Sequence, residues 1–286
     1  MIKITLTIFV FLLTAVNFST EAYAANEGDK MPIKKIVFNI QLSAEAAELI
    51  SDVEKGYGKS IREEEVASLV GFGESLIDDA GTPVIRINPK TGRTESTIVH
   101  EAFHLLLKLE GYPIFAYQFP NGQNTPANIE YMKWIRANLY DGILHWIFYP
   151  RMKKMGVDTN SEEKEQILKA LRVDTYDNIN HATEREALIL YYIKAKLEIN
   201  DTELSGRVTE WYKRKGWIEP LKMGDRIARL VMEANPQMPA ASVSVFVDCI
   251  NVLLHGSAKF EIDSWFTRSR GTIIEKGVLL QVLAPN

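Results

Sequence analysis

Residues 94–109 read TESTIVHEAFHLLLKL, and their pattern predicts one amphipathic helix. Gly111 lies just beyond the last apolar residue, and glycine commonly follows the end of a helix. The apolar side chains fall on one side, where they can pack against a core. The opposite side carries the polar groups, which are Thr97, His100, Glu101, His104 and Lys108. This division is typical of a helix that holds a site, because its packed back fixes the groups on its front.

The polar side contains the motif His100-Glu101-Ala102-Phe103-His104. Two histidines four residues apart lie about 40° apart around a helix, so both imidazoles can bind one zinc ion without bending the backbone. Glu101 projects from the adjacent flank, where its carboxylate can accept a proton from a zinc-bound water. The spacing therefore predicts two metal ligands, His100 and His104, and a catalytic general base, Glu101.

A third ligand is expected, because a catalytic zinc usually has three protein ligands and a water. Residues 128–149 predict an apolar helix that Pro150 ends. Its polar residues form one stripe, which consists of Glu130, Asn138, Asp141 and His145. A metal site would satisfy such a stripe, and so would a buried hydrogen-bond network without metal. Asp141 and His145 are one turn apart, so either can bind zinc while the other supports it. Glu130 lies in the first turn, which fits a helix-dipole or solvated role.

A strand predicted at residues 83–88 directly precedes the motif helix. This strand-then-helix arrangement resembles the zincin metallopeptidases over Pro83 to Pro150. The resemblance implies zinc bound by His100 and His104, with Glu101 as the base. It also implies that the preceding edge strand aligns an extended peptide, which would give Val84 to Ile87 that task.

Two features narrow this resemblance. The metzincin subgroup has a glycine three residues after the second histidine and a third histidine three residues later, where this chain has Leu107 and Glu110. The match is therefore to a minimal thermolysin-like arrangement and not to a metzincin. Thermolysin-like zincins carry a glutamate ligand on the next helix, and the Asp141/His145 pair departs from that pattern.

The order of predicted elements indicates an α+β fold. Strands are expected at residues 36–41, 74–77 and 83–88, with a helix at residues 44–56. Prolines at both ends of the third strand favour an edge strand. A long loop is predicted over residues 111–127, followed by a mainly helical remainder and an extended tail that can return to the sheet. We expect one zincin-like domain over residues 25–286, in which a small sheet precedes the helices.

Composition and charge exclude some classes of partner. The net charge of −4 gives no reason to expect binding to nucleic acid or to an anionic membrane surface. Cys249 is the only cysteine, so an intramolecular disulfide is impossible. It lies in an apolar run, which favours a core residue over a nucleophile.

Residues 1–24 resemble a secretory signal peptide. Lys3 precedes the apolar run Ile4 to Val16, and the segment ends in Ala22-Tyr23-Ala24. The run is short for a bilayer span, which needs about 20 apolar residues, although an uncleaved anchor is the alternative. We expect an exported protein, periplasmic or secreted, that begins near Ala25 and has no stable membrane span after signal removal.

Together these features predict an exported zinc-dependent hydrolase of the metallopeptidase class, which acts on a peptide or protein substrate with Zn²⁺ as cofactor. One alternative is a zincin-shaped metal-binding or interaction protein of the cell envelope without catalysis. The other is a helical envelope or adhesion module in which the two histidines are incidental. The substrate, the role of the helical half and the oligomeric state stay open.

Overall fold

The computed structural model describes residues 34–158 apart from 70, 121 and 122, then 164, 167, 168, 182–198 and 201–283. The predicted signal peptide, residues 1–24, lies outside the described residues. Within the described ranges, no helix has the length and apolar character needed to cross a membrane.

Helices form most of the second half of the chain. Side-chain oxygens of Ser43, Thr94, Thr125 and Asp201 accept backbone N–H groups at four helix starts, which satisfies donors that a helix leaves free. The helices are α1 (Ala44–Tyr57), α2 (Glu95–Leu109), α3 (Pro126–Lys154), α4 (Ala182–Leu197), α5 (Thr202–Arg214), α6 (Ile218–Ala234) and α7 (Pro239–Leu253).

The strands are short near the start of the chain and long at its end. A two-stranded sheet and two three-stranded sheets, β3-β5-β4 and β6-β8-β7, occur in the described ranges. The strands are β1 (Ile36–Val37), β2 (Ile40–Gln41), β3 (Arg62–Glu65), β4 (Gly73–Ile77), β5 (Pro83–Ile87), β6 (Ile114–Gln118), β7 (Lys259–Arg270) and β8 (Ile273–Leu283). The fold is therefore a mixture of helices and small sheets.

The prediction that residues 83–88 form an edge strand is wrong. β5 is the central strand of its sheet, parallel to β3 and antiparallel to β4. Pro83 is its first residue and Pro89 lies beyond its end, so neither proline interrupts the pairing inside the strand. Val84 to Ile87 thus have partners on both sides, and β3 and β4 are the edge strands of this sheet.

Three other predictions differ from the structure. Residues 111–127 are not one loop, because they contain β6, which pairs in parallel with β8. The extended tail therefore builds a second sheet and does not join the first.

Helix α3 begins at Pro126 and continues through Pro150 to Lys154. Proline normally breaks a helix by removing a hydrogen bond, but residues next to Pro150, such as Tyr149 and Met152, are buried in the core.

Helix α2 is held by a core on several sides. It contacts α1, β4, β5 and α3. Its fully buried side chains, which belong to the main hydrophobic cluster, include Ile98, Val99, Ala102, Leu105 and Leu107. The packed back of α2 fixes the direction of its polar side, which turns toward α3.

Candidate metal centre

Three histidines from two helices meet at the contact between α2 and α3. The ring centroids of His100 and His104 are 5.0 Å apart, and His145 of α3 lies 4.7 Å from the first and 5.4 Å from the second. One ring nitrogen from each histidine lies within 4.8 Å of the other two. Three imidazoles are thus close enough to hold one metal ion.

The nitrogen positions fit a metal ion. The Nε2 atoms of His100 and His104 are 3.2 Å apart. Two nitrogens bound tetrahedrally to zinc at 2.0–2.1 Å would be about 3.3 Å apart. Nε2 of His145 is buried and has no hydrogen-bond partner among the described residues. A buried nitrogen without a partner is costly, and a bound metal would satisfy it.

His145 is oriented by groups behind it. Its Nδ1 atom lies 3.1 Å from Oε1 of Glu198, which follows the end of α4, although the ring N–H is not aligned for a hydrogen bond. Lys194 lies 3.6 Å from the other oxygen of this carboxylate. The ring of Tyr149 stacks on His145 with centroids 4.8 Å apart. A carboxylate behind a histidine fixes its orientation and raises its basicity as a ligand.

The charge states of His100 and His104 agree with this arrangement. Burial lowers the pKa of His100 and of His104 well below the ordinary value, and the nearby His145 adds to the effect. Neutral imidazoles are the form that binds a metal. Burial opposes the charge on His145, but the carboxylate of Glu198 outweighs it and raises the pKa.

Glu101 is buried beside the histidines, with only 5% of its surface exposed. Burial raises its pKa to about 7, and the charge of Asp141 acts in the same direction, while a hydrogen bond with Ser75 opposes the shift. A general base works best when its pKa is near the working pH. Gly73 in β4 leaves room for this side chain, because a Cβ there would lie 3.0 Å from Oε1 of Glu101.

These groups line a cavity of about 930 Å³. All five residues of β4 form part of its wall, together with residues of α2, α3, α4 and β8. Lys108 and Arg136 bring positive charge to the same cavity, and Asp141 faces it too. A cavity of this size can hold several residues of an extended peptide beside the histidines.

The four polar residues of α3 that were considered for the third metal ligand lie in different surroundings. His145 joins His100 and His104, whereas Asp141 lies outside this ligand group and faces Arg136 at 3.8 Å. Glu130 is exposed and pairs with Lys133 at 2.7 Å. Asn138 is exposed and donates to the carbonyl oxygen of Trp134.

Sequence reasoning missed two contributors to the site. Glu198 lies 53 positions after His145 and near the end of another helix, with no local pattern that marks it. Strand β4 lines the cavity, but the preceding-strand argument pointed to β5. The sequence predicted a strand at residues 74–77, and the structure confirms it, but its place at the edge of the sheet and in the cavity wall was not predicted.

Comparison of the chain with protein-family models, with curated proteins and with solved structures gave no match. The candidate site must therefore be judged on its own geometry and chemistry.

Proposed function

We propose that the chain is an exported zinc-dependent hydrolase with a zincin-like arrangement, and that it cleaves amide bonds in peptides or proteins. One observation carries the proposal. Three histidines that can share a metal ion lie beside the buried carboxylate of Glu101, at the wall of a large cavity. Three histidine ligands with an open fourth position are a known form of catalytic zinc site.

Each residue has a distinct role in this proposal. His100, His104 and His145 hold the metal, and Glu198 orients His145. Zinc supplies Lewis-acid activation of water and of a carbonyl group when it is bound. Glu101 accepts the proton of the attacking water and then delivers it to the leaving amine. Burial keeps the pKa of Glu101 near 7, so the carboxylate can both take up and release this proton at neutral pH.

The substrate is best aligned by β4. This strand lies at the edge of its sheet and forms a wall of the cavity. A free strand edge can pair with an extended peptide through main-chain hydrogen bonds. We therefore propose that Gly73–Ile77 aligns the peptide substrate. β5 cannot do so, because both of its sides are paired with other strands.

Metal analysis and peptidase assays of matched variants test this proposal. Wild-type protein should purify with zinc, and His100→Ala should lose it. Glu101→Gln should keep the zinc but lose hydrolysis of an unstructured protein substrate by about 100-fold or more, because it cannot accept the proton. Zinc content that His100→Ala leaves unchanged would overturn the metal site. Zinc binding without hydrolysis by the wild type would favour the non-catalytic alternative.

A further inference from the structure

Lys108 continues the polar side of α2 beyond the two histidines. It follows His104 by four residues, so it lies one helical turn, or about 6 Å, along the axis. Its side chain lines the same cavity as Glu101. Lys108 is therefore placed where the part of a substrate next to the cleaved bond would lie.

Most other charges that line this cavity already have an opposite charge nearby. Arg270 pairs with Glu275 at 2.7 Å. Lys194 and Glu198 are 3.6 Å apart, as described above, and Arg136 faces Asp141 at 3.8 Å. Glu74 pairs with Arg86 at 2.9 Å. The two charges within each pair offset each other, so these pairs add little net charge to the cavity.

Lys108 is the exception among the cavity's cations in the described ranges. Its Nζ atom donates to the carbonyl oxygen of Ser75 at 3.4 Å, a long contact, and no described carboxylate lies within 4 Å of it. Burial lowers the pKa of Lys108, and the more distant carboxylates of Glu275, Glu101 and Asp141 only partly oppose this shift. A cation held in a cavity without a counter-charge is stabilised by an anionic ligand.

We infer that Lys108 binds a carboxylate group of the substrate, about two residues from the cleaved bond. This inference rests on the proposed function, because the metal centre defines where the cleaved bond lies. A residue of extended peptide spans about 3.3–3.6 Å, so the 6 Å separation along α2 corresponds to about two residues. The carboxylate can be the C-terminus of a short peptide or the side chain of an acidic residue.

The charge of the loaded cavity supports this choice. Lys108 and Glu101 are the two cavity charges that lack a close opposite charge among the described residues, and they offset each other. A divalent metal on the three histidines then gives the cavity a net positive charge. Arg136 acts on Lys108 as well, but its charge is already offset by Asp141 at 3.8 Å. An anionic peptide is therefore favoured over a neutral one.

Equilibrium binding of matched peptides tests the inference. The probes are N-acetyl-tetraalanine as the free acid and as the C-terminal amide, together with amidated forms that carry Glu or Gln at the third residue. The proteins are zinc-loaded Glu101→Gln, which does not consume the probes, and metal-free wild type. In both backgrounds, Lys108→Gln should weaken binding of the preferred carboxylate peptide by about tenfold or more, with less than a twofold effect on its neutral counterpart.

Further variants separate this role from a structural one. Lys108→Arg should restore most of the preference for the carboxylate peptide, because it restores the charge. Lys133→Met removes a lysine that is 62% exposed on α3 and should leave all four affinities unchanged. The acid–amide pair and the Glu–Gln pair show whether the carboxylate comes from the terminus or from a side chain.

Two outcomes would overturn the inference. An equal loss of affinity for charged and neutral peptides would mean that Lys108 shapes the cavity and does not recognise a carboxylate. A wild-type protein without preference for either charged peptide would exclude the subsite directly. Failure of the proposed function would appear separately, as absence of zinc or of hydrolysis. Peptide binding to the metal-free protein would still test the role of Lys108.

Discussion

The two halves of the candidate metal centre are built in different ways. Helix α2 supplies His100, Glu101 and His104 from five consecutive residues, and helix geometry alone brings the two imidazoles together. His145 comes from α3, and the carboxylate behind it follows α4. The first half therefore depends on one helix, whereas the second depends on how three helices pack.

The largest expected effect is on zinc affinity, which should fall when His145 is replaced but not when Asp141 on the same helix is replaced. Structural zinc sites bind the metal with about 10–16 kcal/mol, shared among about four ligands, so losing one ligand costs about 3 kcal/mol, or about 150-fold in affinity. His145→Ala should show this loss in a competition titration with a chelator. Asp141→Asn, one turn away, should stay within a few-fold of wild type. A loss for Asp141→Asn as large as that for His145→Ala would place Asp141 among the ligands.

Glu101 gives the α2 half a distinctive pH dependence in the metal-free protein. Burial raises its pKa from 4.5 to about 7. The stability that this protonated carboxyl contributes is fully present below pH 4.5. It is lost as the pH rises toward 7, because the unfolded chain releases the proton at a lower pH than the folded chain. The loss amounts to about 3 kcal/mol, since one pKa unit corresponds to 1.36 kcal/mol. Between pH 4.5 and 8, the unfolding free energy of wild type should fall by this amount relative to Glu101→Gln.

Denaturant unfolding of both proteins in the presence of a chelator measures this difference. The two proteins should diverge progressively as the pH rises, with the variant becoming the more stable one. A constant difference across the range would show that Glu101 is solvated and lacks the raised pKa.

The same contrast explains what could be predicted from the sequence. His100, Glu101 and His104 form a local pattern, so both their helix and their shared face could be predicted. His145 could be narrowed to a pair, because the polar stripe identified the face of α3 but not which residue faces α2. Glu198 and the free edge of β4 depend on pairing and packing between distant segments, which leave no periodic signal.

The prediction about residues 111–127 failed for a related reason. β6 pairs with β8, whose residues lie more than 150 positions later. Turn-forming residues around β6 indicated a loop, and only the distant strand gives it a partner. Local composition is a weak guide where a strand depends on such a partner.

Glu198→Gln should weaken zinc binding by His145 although it replaces no metal ligand. The amide cannot carry the charge that orients His145, and loss of such a supporting carboxylate typically weakens metal binding by about 10–100-fold. Glu130→Gln, on the exposed surface of α3, is the matched control and should leave zinc affinity unchanged. Equal affinities for Glu198→Gln and wild type would show that the packing of α3 positions His145 without the carboxylate.

The smallest effect concerns the space that β4 leaves for the base. In Gly73→Ala, the new Cβ would lie 2.9 Å from Thr97 and 3.0 Å from both Cγ and Oε1 of Glu101, so the strand or the carboxylate must move by a few tenths of an ångström. Small displacements of a catalytic group reduce rates strongly, and we expect hydrolysis to fall by about tenfold while zinc content stays constant.

A second glycine provides the control for this last prediction. Gly206 lies on the exposed side of α5, and a Cβ there would meet nothing within 4 Å. Gly206→Ala should leave hydrolysis unchanged and stabilise the helix by up to about 1 kcal/mol. Hydrolysis should be measured per folded, zinc-loaded molecule, so that lower stability of Gly73→Ala is not mistaken for a slower reaction. Full activity of Gly73→Ala under these conditions would mean that β4 does not determine where Glu101 lies, and that helix α2 alone positions the base.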